Sequence, residues 1–323
     1  MKERLEHVDI AKGIGIVLVV CSHSDALPLM WLMMGMFVPI FFFCSGYTST
    51  MKRPFWSSMA RRFKKLIVPY LFFNALMLLV FWHFSVRELV GIAYSRYSLY
   101  PLDVSPNVKF LTSGNYPMWF LTSMVVSYFL FYLITYNERY KYILILSYCV
   151  LTVVMALCPI LLPWSLDTAP LTALVMYFGM ETRRRGLIDM NGWLVLFLTL
   201  LYVGLHCFSG DLNLSVRMYG TSVVLYFVLA ILGSFIVLWG SRYLEGTAVG
   251  KCFLTLGKHS LTIFCIEMAF IVWAKELCQW LLPEYEVNYW AGLFEISVAL
   301  LGGWSVSVLI HKSKFLSRVA YAS

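Results

Sequence analysis

The stretch DIAKGIGIVLVVCSHSDALP, residues 9–28, has the apolar run of a membrane-spanning helix but carries polar groups within it. Lys12 lies near its start, and His23 lies deep inside it. At 100° per residue, these two side chains project within about 20° of each other and about 16 Å apart along the helix. Asp9 is offset from His23 by only about 40°, so the three residues form one polar stripe. Because hydrocarbon accepts such groups only at high cost, the stripe must face a bundle interior or a water-filled cavity.

The composition of the whole chain predicts a membrane protein. Of its 323 residues, 60% are hydrophobic and only 13% are charged, and the mean hydropathy is +0.76. About a quarter of the residues of an average soluble domain are charged, so an ordinary soluble protein is excluded. Continuous apolar runs favour an all-α bundle over a membrane β-barrel, which needs alternating residues. The net charge of +8 is explained by membrane topology and does not indicate nucleic acid binding.

Apolar segments long enough to be candidate membrane-spanning helices recur along the chain, since a span needs about 20 residues. The ten candidates cover residues 8–27, 30–50, 66–84, 117–136, 142–162, 168–182, 193–209, 219–240, 259–281 and 289–310. The first segment lacks a small-x-small cleavage site, so a cleavable signal peptide is not expected. We predict a single membrane domain over residues 1–323, with one long outer connection at 85–116.

Lysine and arginine are unevenly distributed between the connections. If the N-terminus is inside, most of the 25 basic residues fall on the inner side, and few, among them Arg96 and Arg217, fall outside. The positive-inside rule then predicts cytoplasmic N- and C-termini and about ten spans. The expected location is the cell's inner, cytoplasmic membrane, as a multi-pass protein surrounded by lipid.

Cysteine spacing gives no sign of a metal or redox centre. The eight cysteines lie mostly in apolar segments, and none forms a C-x-x-C pair. We interpret them as small apolar packing residues and predict no metal site.

His23 is the most informative member of the polar stripe. Histidine titrates near neutral pH and can act as a general base without a large pKa shift. This favours a catalytic His23, with Asp9 and Lys12 orienting groups along the same helix face. A buried histidine that is merely hydrogen-bonded to a neighbouring helix is the alternative. In the catalytic case, all three side chains should face one cavity that is also lined by residues 39–47.

The second apolar segment, GMFVPIFFFCSGYTS at 35–49, leads into a strongly basic run at 52–70. The small pair Ser45-Gly46 predicts close approach of another helix. Clustered arginine and lysine residues suit phosphate groups, although anchoring of the inner side explains them equally well. The phosphate-binding candidates in this run are Arg61, Arg62, Lys64 and Lys65.

The order of these motifs resembles the acyltransferase 3 family, in particular the branch typified by fucose 4-O-acetylases. The matching elements begin with D-x-x-K-G-x(9)-H from Asp9, P-I-F-F-F-x-S-G-Y at 39–47 and the basic run ending L-I-x-P-Y at 66–70. They continue with GNYPMWFL at 114–121 and LGKHSLTIFCIE at 256–267. No single motif is decisive, but their order and spacing together are specific.

This resemblance implies a membrane O-acetyltransferase. Such a protein moves an acetyl group from cytoplasmic acetyl-CoA to a hydroxyl of an extracytoplasmic surface polysaccharide or its lipid-linked precursor. His23 would deprotonate the acceptor or transiently carry the acyl group. Acetyl-CoA is then the acyl donor rather than a permanently bound cofactor, and the sequence leaves the oligomeric state open.

The resemblance also assigns the remaining candidate residues. Lys12 and the basic run, with Arg61, Arg62, Lys64 and Lys65, would hold the CoA. Ser45, Asn115 and Trp119 are candidates for binding the acceptor substrate.

Two departures from the family pattern concern the chemistry. Phe37-Val38-Pro39 stands where related proteins often have H-M-P. Glu267 stands where many have a histidine. Because a carboxylate within a span is costly, Glu267 is a third catalytic candidate beside His23 and Asp9, in place of that histidine.

Two rival functions remain at this point. A small-molecule transporter for an amino acid or sugar could also use a polar stripe in a cavity. Binding of CoA would distinguish the enzyme from the transporter. A structural scaffold would leave the alignment of His23 with Lys12 unexplained.

Overall fold

The computed structural model describes residues 5–24, 30–50, 54–82, 84–96, 98–101, 116–281 and 289–321. Within these ranges the chain forms twelve α-helices, five short 3-10 helices and one small hairpin. The α-helices are α1 (Glu6–His23), α2 (Pro39–Tyr47), α3 (Phe55–Val80), α4 (Val86–Tyr94), α5 (Trp119–Tyr136), α6 (Lys141–Ala156), α7 (Ala169–Arg184), α8 (Gly192–His206), α9 (Val223–Tyr243), α10 (Ala248–Leu281), α11 (Tyr289–Lys312) and α12 (Lys314–Tyr321). The 3-10 helices are Met30–Met33, Tyr116–Met118, Pro163–Ser165, Leu187–Asp189 and Leu214–Val216.

The all-α prediction is confirmed over these residues, with one small exception. Strand β1 (Leu212–Asn213) pairs with strand β2 (Met218–Tyr219) in an antiparallel hairpin. The continuous apolar runs gave no sign of these strands, because the hairpin lies in the connection between α8 and α9 rather than in an apolar run.

Four helices of the described residues are long and apolar enough to cross a membrane. They are α3, α5, α9 and α11, while α6 and α8 are apolar but shorter. Their exposed side chains are largely hydrophobic, as on α6 at Leu146, Val150 and Val154. Surfaces of this kind suit contact with lipid tails and identify the protein as a membrane protein.

Two of the predicted segments begin too late in the chain. Helix α3 starts at Phe55 instead of residue 66, and α10 starts at Ala248 instead of residue 259. Lysine and arginine are good helix formers, so each helix continues through its basic residues, which a hydropathy pattern leaves out. From Phe55 onward, the basic run is therefore helical.

The second predicted segment, 30–50, is mostly not a helix. Only α2 is α-helical, and it follows a 3-10 turn and a series of turns. Pro39 stands at the start of α2, where its missing N–H is not needed.

The long connection at 85–116 also contains a helix, α4. Ser85 immediately precedes this helix, and its side chain accepts a hydrogen bond from the backbone N–H of Glu88.

Glycine contacts bring two helix pairs close together. A Cβ on Gly257 would collide with the carbonyl oxygen of Asp9, and a Cβ on Gly13 would collide with that of Phe253. Helix α1 therefore packs backbone to backbone against α10. Likewise, Gly46 of α2 and Gly179 of α7 lie directly against the opposing backbone, which is the close approach that the small pair Ser45-Gly46 predicts.

Candidate active site

The centre of the candidate site is a pair of side chains from α1 and α10. His23 Nδ1 lies 2.7 Å from Glu267 Oε1, although the two residues are 244 positions apart. The Glu267 side chain is fully buried, whereas that of His23 is 20% exposed. Facing an ionised carboxylate, which only accepts hydrogen bonds, Nδ1 would be the donor. Nε2 would then be the proton-accepting nitrogen, the arrangement of a histidine base oriented by an acid.

The second carboxylate oxygen of Glu267 has a different environment. Oε2 is buried and has no hydrogen-bond partner among the described residues. A buried polar atom without a partner costs about 1–3 kcal/mol, and such exceptions are often found at functional sites. A hydroxyl group placed beside Glu267 could donate to this oxygen.

Asp9 and Lys12 form a separate pair lower on α1. Lys12 Nζ lies 3.7 Å from Asp9 Oδ1, and the Lys12 side chain is half-buried. Asp9 is fourteen residues before His23, or about 21 Å along the helix. The structure therefore pairs Asp9 with Lys12 and does not bring it to His23.

A pocket of about 140 Å³ opens beside Lys12. Its lining consists of a lysine, two serines, three phenylalanines and two other apolar residues, namely Lys12, Phe41, Ser45, Phe120, Met124, Ser260, Leu261 and Phe264. Lys12 and Ser45, both predicted site residues, thus share one pocket with part of the 39–47 segment. His23 and Asp9 are not among its lining residues, so the expectation of one cavity for the whole stripe is only partly met.

The basic run of α3 does not converge on one point. Arg62 turns inward, with its guanidinium 4.4 Å from the ring centre of Tyr128 and Nε 3.4 Å from the Tyr132 hydroxyl. Arg61, Lys64 and Lys65 are exposed. The four predicted phosphate-binding residues are thus divided between an inward arginine and three outward cations.

The structure describes two of the three predicted acceptor-binding residues. Trp119 begins α5 and is buried, with its ring 5.8 Å from the guanidinium of Arg96. Ser45 lies in the Lys12 pocket. Asn115 lies outside the residues that the structure describes.

Comparison with known families assigns the chain. A family model described as an acyltransferase domain, Acyl_transf_3, matches residues 5–312. The chain belongs to the Acyl_transf_3 family. It is therefore a membrane acyltransferase, and this membership gives no support to the transporter alternative. No curated protein and no solved structure shows a significant match to the chain. The fucose 4-O-acetylase-like branch stays a prediction.

This Acyl_transf_3 protein also contains a buried charge cluster that sequence reasoning missed. Arg96 and Arg217 both pair with Asp167, the Arg217 Nη1 lying 3.3 Å from Asp167 Oδ2. All three side chains are buried. The arginines also donate to backbone carbonyls, among them that of Ile160. The cluster ties the end of α4 and the β1–β2 hairpin to the chain before α7.

The sequence signal for this cluster was weak. Arg96 and Arg217 entered the sequence analysis only as basic residues on the outer side of the membrane. Asp167 lies between two apolar segments, where an aspartate is typical of an exposed loop. Two of the three phenylalanines that line the Lys12 pocket, Phe120 and Phe264, were also missed, because single phenylalanines in apolar runs are usually packing residues.

Proposed function

We propose that this protein is an O-acetyltransferase. It would take acetyl groups from acetyl-CoA in the cytoplasm and pass them to a hydroxyl of an extracytoplasmic surface glycan or its lipid-linked precursor. The observation that carries the proposal is the His23–Glu267 hydrogen bond of 2.7 Å within a membrane acyltransferase. The motif resemblance to the fucose 4-O-acetylase branch supports a sugar hydroxyl as acceptor.

In this proposal His23 is the general base. Glu267 holds the proton on Nδ1, so Nε2 accepts the proton of the acceptor hydroxyl. The hydroxyl oxygen attacks the thioester carbonyl carbon, the ester C–O bond forms and the C–S bond breaks. The proton then passes from Nε2 to the departing sulfur, which leaves an acetyl ester and free CoA thiol.

The donor would bind along α1. Lys12 is half-buried at a pocket whose size suits a small group. About 16 Å of helix separates Lys12 from His23, a span of the order of an extended pantetheine arm. Arg61, Lys64 and Lys65 are exposed on α3, and in this proposal their charges attract the CoA phosphates at the membrane surface.

The proposed topology follows from the basic residues and the helix order. We place the start of α1 on the cytoplasmic side of the cell membrane, with about ten membrane crossings and both termini inside. Helices α1 and α10 then run outward together, which puts Lys12 near the cytoplasmic side and the His23–Glu267 pair in the outer half. The partly exposed ring of His23 would meet the acceptor, approached from the 85–116 connection that leads to Asn115 and Trp119.

The test is acetyl transfer by the purified protein in lipid nanodiscs. Release of CoA thiol from acetyl-CoA is measured with water as the acceptor, and ester-linked acetate is measured on surface glycans of cells with and without the gene. We expect His23→Ala to lower CoA release by about 10²- to 10⁴-fold, the usual cost of losing a general base. Its acetyl-CoA affinity, measured by calorimetry, should stay near that of the wild type. Full CoA release by a folded His23→Ala protein would overturn the assignment.

A further inference from the structure

We propose that Trp31 is a stacking platform for the acceptor sugar, at the same end of α1 as His23. The inference rests on the proposed function, because it needs a glycan acceptor on the outer side. It adds a binding residue that sequence reasoning did not single out. It also adds a class of ligand, a pyranose ring that presents its C–H face to the indole.

Helix α2 places this tryptophan toward the catalytic end of α1. A Cβ on Gly15 would lie 2.7 Å from Ile40 Cγ2. The rings of His7 and Tyr47 lie 5.9 Å apart, so α2 runs antiparallel to α1. The 3-10 turn Met30–Met33 also packs against α1. The chain just before α2 therefore lies toward the end of α1 at which the catalytic histidine stands.

The Trp31 ring is held by residues of α8. Its centre lies 5.4 Å from that of the His206 ring in an edge-to-face contact. Tyr202, one turn earlier on α8, donates its hydroxyl to the backbone carbonyl of Leu32 at 2.7 Å. His206 is buried, whereas Trp31 is 44% exposed. The indole is therefore fixed by protein contacts and still open to a ligand, and such preorganisation lowers the entropic cost of binding.

The surroundings of Trp31 differ from those of a lipid anchor. Exposed tryptophans of membrane proteins commonly mark the bilayer surface, and this is the alternative. His206 ends α8 and leads into a polar connection, in which Ser209 Oγ lies 3.1 Å from His206 Nδ1 and Asp211 is exposed. An exposed carboxylate belongs in water rather than in hydrocarbon. This end of α8 is therefore placed in the aqueous phase, where a glycan would arrive.

The chemistry of the two rings suits a sugar. The face of an aromatic ring is electron-rich, so it attracts the weakly positive C–H groups on the apolar face of a pyranose. His206 Nε2 is buried and has no hydrogen-bond partner among the described residues, and such polar atoms are often found at functional sites. A lipid chain offers nothing to a polar group beside Trp31, whereas a stacked sugar carries hydroxyl groups around its edge.

The test compares two acceptors for the full-length protein in lipid nanodiscs. One is water, and the other is the surface glycan extracted from cells that lack the gene. Trp31→Ala should weaken glycan affinity, measured by calorimetry, by about fivefold or more, the scale of losing one aromatic contact. The KM for the glycan should rise by a similar factor. Release of CoA with water as the acceptor should stay near that of the wild type, because water needs no platform. Trp31→Phe, which keeps an aromatic face, should restore part of the glycan affinity.

Trp280→Ala is the matched control. Trp280 is another exposed tryptophan, near the end of α10, and its removal should leave the glycan affinity unchanged. Glycan affinity that is unaltered in folded Trp31→Ala protein, or equally weakened in Trp280→Ala, would overturn the inference alone. A parallel loss of CoA release with water would indicate a structural role of Trp31 and would overturn it as well.

Failure of the proposed function gives a different result. If the wild type binds the glycan but releases no CoA, the proposed function fails, and the glycan affinities still decide the role of Trp31. If the wild type does not bind the glycan, the platform is overturned, and CoA release that depends on His23 still decides the general base.

Discussion

His23 and Glu267 are joined by a hydrogen bond of 2.7 Å between the end of α1 and the middle of α10. The same two helices lie in close contact at Gly13 and Gly257. A buried carboxylate at this distance fixes the orientation of the histidine ring. The pair therefore links the packing of the bundle directly to its chemistry.

Replacing Glu267 with glutamine should impair catalysis without removing the donor site. The amide can donate to Nδ1 as well as accept from it, so the histidine loses its preferred tautomer, a change that costs about 10⁴-fold in a comparable Ser-His-Asp system. We expect CoA release to fall by at least about 10²-fold, while acetyl-CoA affinity changes little.

Glu295→Gln is the control for that variant. Glu295 is also fully buried, but it lies on α11 near Lys275, at 3.9 Å. It should alter stability more than turnover per folded molecule. If the two variants lose the same fraction of turnover per folded molecule, Glu267 does not orient His23 for catalysis.

Replacing Gly257 with alanine should separate α1 from α10. The new Cβ would meet the carbonyl oxygen of Asp9, which belongs to rigid helix backbone. Overpacking of this kind costs about 1–3 kcal/mol, and a shift of about 1 Å at the site can cost about 10²-fold in rate. We expect a lower thermal midpoint together with reduced CoA release.

Gly240→Ala provides the comparison for the packing variant. Gly240 lies inside α9 with open space around the position of a Cβ. Alanine there should be neutral or stabilising by about 0.5–1 kcal/mol. Retained activity in Gly257→Ala would show that the contact does not position the pair.

The arginines of α3 should separate into two roles. Neutralising Arg61 with glutamine should weaken acetyl-CoA binding by a few fold, more strongly at low salt, because exposed charges are screened. Neutralising Arg62 should instead lower stability by about 0.5–2 kcal/mol, since it packs on Tyr128. Calorimetry at two salt concentrations and thermal denaturation distinguish the two. Cysteine-accessibility labelling must show unchanged topology, and a salt-independent loss in Arg61→Gln would contradict a phosphate contact.

Replacing Asp167 with asparagine should destabilise the protein strongly. It leaves Arg96 and Arg217 buried without their carboxylate, and breaking a buried pair typically costs about 3–5 kcal/mol. The thermal midpoint in nanodiscs measures the loss. Asp211→Asn, at an exposed position of the same region, should change it by less than about 0.5 kcal/mol. Similar midpoints for both variants would mean that the cluster contributes little.

Several features of this protein could be predicted from the sequence alone, because their causes are local. Apolar runs predicted membrane helices, since each backbone group in hydrocarbon must be paired within its own helix. The period of the α-helix placed Asp9, Lys12 and His23 on one face. Hydropathy missed the basic beginnings of α3 and α10, because it measures transfer to lipid and not the tendency to form a helix.

The arrangement of the candidate site was decided by tertiary structure. Helical periodicity aligned Asp9 with His23, but it cannot say which distant carboxylate reaches the ring. The contact of α1 with α10 selected Glu267, and proximity paired Asp9 with Lys12 instead. The pocket at Lys12 and the Asp167 cluster likewise join residues from several helices and loops. Such long-range pairs depend on how helices pack, which no short stretch of sequence specifies.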